Sequence, residues 1–181
     1  MNRLFTALLA GVILLAGCAA PGTQGGAEVR QLSATPIYVT GGDQPEGSAA
    51  VYDALSGFGI ELLRQVRTQE GKQVLISPLS AALALSMSAN GARGDTLKQF
   101  EVLFGGDLEA INAACAQLMQ EYQTLGGSTQ CHIANSVWAD PEGQIKDEFV
   151  GKCQGIFDAQ VFQADLSDKG IVKAVNRWVS D

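Results

Sequence analysis

Residues 73–104, QVLISPLSAALALSMSANGARGDTLKQFEVLF, decide how this chain folds. Residues 73–76, with Val74, Leu75 and Ile76, form a short apolar and β-branched run, the pattern of a buried strand. The run stops at Ser77-Pro78. A serine hydroxyl there accepts a bond from a free backbone N–H of the first helical turn, and a proline in that turn has no N–H to lose. Residues 79–89 are apolar or small almost all the way round a helix, so that helix belongs inside a large core. Asn90-Gly91 ends it with residues that tolerate positive φ. A second helix starts at Asp95-Thr96, where Thr96 and Gln99 have capping-box spacing and Leu97, Phe100 and Phe104 line one face.

Buried strand, S-P-L-S, all-apolar helix, N-G-A-R-G-D-T, amphipathic helix: this order resembles the serpin family, from strand 6 of sheet B through helices B and C. The resemblance extends in both directions. Upstream, Phe58, Leu62 and Val66 recur at helical spacing, with Leu55 and Leu63 widening the face, in the manner of helix A. Downstream, Gly105-Gly106 breaks the chain, and Leu108, Ile111, Cys115, Leu118, Tyr122 and Leu125 describe an amphipathic helix like helix D. Some relatives carry a basic heparin site on that helix. Here Glu109 and Glu121 occupy it and no Lys or Arg does, so that role does not carry over.

After the turn at Gly126-Gly127, residues 130–139 read as a strand that is apolar on both faces. Ile133 and Val137 share one face, Ala134 and Trp138 the other, and the segment resembles strand 2 of serpin sheet A. Asp140-Pro141-Glu142-Gly143 is a turn. Phe149, Cys153 and Ile156-Phe157 mark a short helix like helix E, and residues 158–166 a strand like strand 1 of sheet A. Ile171, Val175, Trp178 and Val179 form a last stripe, where V-N-R-W-V resembles the I-N-x-W-V of helix F. The fold implied is therefore α+β and serpin-like, its N-terminal part only: helices A to F, strand 6B, and strands 1A and 2A. A chain ending inside a helix at Asp181, without cap or breaker, reads as truncated on its C-terminal side. The reactive-centre loop of the family has no counterpart in these residues.

The N-terminus is a different matter. Arg3 and the amino group provide a small positive region, and residues 4–15 an apolar run too short to span a bilayer comfortably. Leu15-Ala16-Gly17-Cys18 resembles a bacterial lipobox, which implies a signal peptide over 1–17 and a diacylglyceryl thioether on Cys18. Two or three acyl chains anchor stably where one does not. Residues 18–48, rich in Gly, Ala, Thr, Gln and Pro, read as a lipidated, flexible tether, and 49–181 as the truncated serpin domain. The expected location is the cell envelope, outside the cytoplasm, with the outer membrane or cell surface favoured because alanine rather than aspartate follows Cys18.

Composition limits the chemistry. Hydrophobic residues make up 46% of the chain, which argues for a packed core, and a net charge of −7 with no basic cluster argues against a nucleic-acid partner. His132 is the single histidine. Beside Cys131 in a strand it points to the opposite face, so the pair makes no protease dyad and His132 reads as a packed strand residue. Cys115, Cys131, His132 and Cys153 lack the close spacing of a zinc site. No catalytic residue, metal or cofactor is expected. With Cys18 lipidated, Cys115, Cys131 and Cys153 remain: one disulfide with one free thiol, or no disulfide, fits that number, and the resemblance favours buried free thiols.

By the resemblance, Ser77, Pro78 and Ser80 match the serpin shutter, small residues under sheet A whose hydrogen bonds exchange as strands part. It implies an inhibitor of a serine or cysteine protease, monomeric at full length and acting by suicide-substrate loop insertion, which the lipobox-like Leu15-Ala16-Gly17-Cys18 would tether to a membrane. The alternatives are a non-inhibitory surface-binding lipoprotein on the same scaffold, and an inactive fragment.

Overall fold

The computed structural model describes residues 27–39, 48–70, 74–125 and 131–180, which fall into two compact units. One, Val39–Thr124, is helical: α1 (Ser48–Glu70), α2 (Pro78–Gly91), α3 (Gly94–Phe104) and α4 (Leu108–Gln123) pack mutually. As its composition requires, α2 is the central element: Ala82, Leu83, Ala84, Ser86, Met87 and Ala89 are all buried. Val51 and Phe58 of α1, Phe100 and Phe104 of α3, and Ile111, Cys115 and Met119 of α4 complete this core.

Four local expectations are corrected in this unit. Residues 74–77 form no strand, and Leu75 is 99% exposed. An apolar run becomes a strand only when a neighbour takes its backbone bonds, and no described residue pairs with this one. Asn90 and Gly91 lie inside α2, whose C-cap is Ala92 at φ −81. The amide of Asn90 is occupied elsewhere, as described below. Helix α3 starts at Gly94, with an extended Arg93 as N-cap and no side-chain cap bond, so Thr96 sits in the first turn instead of at its mouth. Leu63, assigned to the apolar face of α1, is 45% exposed. The expected break after Phe104 is present: Gly105 adopts φ 69 and closes α3 through the Glu101 carbonyl.

The other unit, residues 1–38 with 125–181, holds β1 (Val29–Leu32), β2 (Asn135–Ala139), α5 (Asp147–Phe157), β3 (Ala159–Ala164) and α6 (Ile171–Ser180). The sheet order is β1-β3-β2; β2 runs parallel to β3 and β1 antiparallel to it. Helix α5 supplies the crossover that a parallel pair needs, and it packs on β3. Trp138 of β2 lies beside Phe162 of β3, their rings stacked at 4.4 Å, and α6 covers them with Val175, Ile171, Ala174 and Trp178. Strand β2 is shorter than expected. Residues 131–134 are not strand, His132 is exposed instead of packed, and both Gln130, where the expected strand starts, and the expected turn at Gly126-Gly127 lie outside the described residues.

The stretch read as tether is not featureless. Val29–Leu32 pairs with the outer edge of β3, from Val29↔Ala164 to Leu32↔Val161. Composition carries no trace of this, because a strand added to an edge is held by backbone bonds that any sequence offers.

Candidate functional site

At the N-terminus of α2, Ser77 is extended at φ −110 and ψ 95, and its Oγ accepts from the backbone N–H of Ser80 at 3.3 Å. The two hydroxyls also share a hydrogen bond of 2.8 Å, and Pro78 fills the first turn. Ser77, Pro78 and Ser80 thus form one cap, with Ser77 exposed and Ser80 half-buried. Removing a serine cap costs about 1 kcal/mol of helix stability.

A second polar site, in the last turn of α2, was not legible from spacing. Asn90 Nδ2 donates to Asn112 Oδ1 at 2.7 Å and Asn112 Nδ2 returns a bond to Asn90 Oδ1 at 2.9 Å, while Asn90 Nδ2 also reaches the Ser86 carbonyl at 3.0 Å. Asn112 is 6% exposed, so this reciprocal amide pair fixes α2 against α4 in a setting where an unpaired amide would be expensive. The signal available was a lone asparagine amid the apolar residues of α4. Between α1, α2 and α4, the buried Tyr52 hydroxyl and Ser86 Oγ have no hydrogen bond of good geometry. Burial, then the negative charge of Glu121 and of the thiolate form of Cys115, raises the Tyr52 phenol.

Among the described residues the three cysteines are unpaired: Cys115 and Cys153 are buried, Cys131 half-buried. Burial pushes the Cys115 thiol up to about 11, with Ser86 partly opposing, and the Cys153 thiol up to about 12. Both stay protonated and inert in the folded protein at neutral pH. Iodoacetamide at pH 8 should therefore label Cys131 well before the other two; labelling of Cys153 at the rate of the denatured chain would contradict its burial. The sign for stability follows. A folded thiol that titrates higher than an unfolded one leaves stability flat below about pH 9, then lowers it as the unfolded chain alone releases its proton, up to about pH 12. Urea melts at pH 8 and pH 10.5 should show a smaller alkaline loss for Cys153→Ala than for the unaltered protein.

Among the described residues no three His, Cys, Asp or Glu side chains converge as metal ligands, and no helix is long and apolar enough to cross a membrane. Cys18 lies outside the described residues.

With this architecture in view, the comparisons are specific. The serpin (serine protease inhibitor) family model matches residues 53–181. The chain belongs to the serpin family. Its relatives include Iripin-8 of Ixodes ricinus, 30% identical over 131 residues that cover 68% of this chain and 33% of that protein. Neuroserpin of Homo sapiens is 27% identical over 141 residues, covering 75% and 34%. Ipis-1 of Ixodes persulcatus is 26% identical over 139 residues, covering 74% and 37%. The serpin chain spans about a third of the length of these relatives. Its α+β architecture, with six helices and a small sheet among the described residues, is that of a partial serpin fold from the N-terminal side. Serpins are protease inhibitors and not catalytic enzymes.

Proposed function

We propose that this serpin is the N-terminal part of a lipid-anchored protease inhibitor. The family match over residues 53–181 carries the inhibitor reading. The mechanism belongs to the whole protein. A serine or cysteine protease attacks an exposed loop as substrate, the acyl-enzyme bond forms, and the cleaved loop enters sheet A as a new strand before deacylation. The loop itself lies outside these residues. The sheet supports the reading in one respect: β2 ends the order β1-β3-β2, so one of its edges is open to further strands among the described residues. In this proposal Ser77 and Ser80, whose hydroxyls already share a hydrogen bond, take the shutter role that the family resemblance gives them.

Anchoring rests on Leu15-Ala16-Gly17-Cys18 at the end of an apolar run, with the domain outside the cytoplasm at a bacterial membrane. The test uses the native, detergent-extracted protein. Incubation with a serine protease should give a complex that survives SDS, and a protease with its nucleophile blocked should give none. Cleavage without a complex would end the inhibitor reading and favour a binding lipoprotein on this scaffold. Cys18→Ser should move the protein from the membrane pellet to the soluble fraction and remove the mass of the acyl chains; an unchanged distribution would end the anchor.

A further inference from the structure

Helix α5 carries Gly151 and Gly155 one turn apart, on one face, where alanine would make the better helix. The chain segment lying across that face explains them. A Cβ on Gly151 would stand 2.5 Å from the Thr35 carbonyl oxygen and 3.1 Å from Ile37 Cγ1, and a Cβ on Gly155 would overlap the Ile37 backbone. The approach is held by directed bonds. The Ile37 N–H donates to the Gly151 carbonyl at 2.9 Å, and the Ala34 N–H donates to Gln154 Oε1 at 3.1 Å. Just upstream, β1 continues the grip along the edge of β3.

We infer that Gly151, Gln154 and Gly155 of α5, together with the outer edge of β3, form a peptide-docking site whose ligand is this chain's own segment 29–37. The segment is a detachable strap. Val29 and Ile37 stay open at 36% and 38%, and Leu32 is only half-buried, so backbone pairing and close approach hold the segment rather than deep burial. Contacts of that kind release at lower free energy than a packed core. Docking also changes the reach of the chain from Cys18. To Val29 there are roughly 11 residues, about 40 Å at full stretch; to Ser48, with the strap released, roughly 30 residues and about 100 Å. That consequence rests on the Cys18 anchor proposed above, whereas the docking does not.

Trypsin cleavage after Arg30, followed by mass spectrometry on the full chain, reads docking directly, because a protease takes backbone only after it leaves its sheet. The unaltered protein should be cut slowly. Gly151→Ala with Gly155→Ala, which strengthens the helix while filling the groove, should be cut at least tenfold faster with no loss of helix signal. Ile37→Gly, altered only on the strap, should be faster as well. Equal rates in all three proteins would overturn the strap. The same readout on Cys18→Ser protein keeps the two proposals apart: persistence of Cys18→Ser on membranes overturns the anchor and leaves the cleavage result standing.

Discussion

Phe104→Ala is expected to destabilise the helical unit by about 3–5 kcal/mol, the range for removing a fully buried aromatic ring from a core that cannot close over the gap. Phe104 has no exposed surface and meets Phe58 edge to face, with ring centroids 5.9 Å apart. Collapse is blocked at the next residue. Gly105 sits at φ 69, and a Cβ built there would stand 3.2 Å from the Ala50 carbonyl oxygen, so the end of α3 already touches α1 backbone and cannot approach further. Against a total stability of about 5–15 kcal/mol for a domain, such a loss removes a large fraction. Urea unfolding measures it, and Val102→Ala, at a position 83% exposed two residues earlier on the same helix, should change stability by about 0.5 kcal/mol or less. A Phe58→Ala/Phe104→Ala cycle should show about 0.5–1.5 kcal/mol of coupling beyond the area terms. Equal effects of Phe104→Ala and Val102→Ala would refute the packing described for α3.

That phenylalanine was readable in the sequence, and the reason separates what was legible from what was not. Phe100 and Phe104 recur at helical spacing, and periodicity reports one thing well: which face of an element meets an apolar neighbour. The same signal exposed α2 as a buried helix and put Trp138 and Val175 in the interior. Signals that depend on a distant partner failed. Val74, Leu75 and Ile76 look like a strand by composition, yet strand formation is a property of two segments, and no described segment pairs with them. Thr96 and Gln99 have the right spacing for a capping box, but a cap is decided by where the backbone enters the helix, and with Gly94 at φ 57 the cap falls on Arg93, three residues earlier.

The candidate site divides the same way. Ser77 and Pro78 act locally, within one turn, and their capping geometry follows from sequence alone. The Asn90–Asn112 pair bridges 22 residues, and the contact of Ile37 with Gly151 bridges more than a hundred. No periodicity announces either. The two glycines of α5 were a usable clue nonetheless, since glycine repeated one turn apart inside a helix asks for a backbone to lie against it. The composition of the tether concealed the other half of that contact.

Trp138→Ala carries the largest expected effect in the sheet unit, about 3–5 kcal/mol. The indole is 8% exposed, stacks on Phe162 at 4.4 Å with an interplanar angle of 26°, and forms the floor on which Val175, Ile171, Ala174 and Trp178 of α6 rest. Its Nε1–H is satisfied by Ser136 Oγ at 3.0 Å, so the ring is buried without an orphaned donor. Removing it leaves α6 with the Trp178 bond to Gln160 Oε1 and a cavity beneath, and a ten-residue helix does not persist on its own propensity. Amide exchange in residues 171–180 should therefore accelerate together, as one cooperative unit, at denaturant concentrations where β3 remains protected. Trp138→Phe separates the two contributions of the indole: it keeps a ring on Phe162 and strands the Ser136 hydroxyl, for an expected loss of about 1–2 kcal/mol and protection of α6 retained. If Trp138→Ala left the exchange of α6 unchanged, the cluster under that helix would not be what holds it to the sheet, and the helix would owe its place to the polar bond at Trp178 instead.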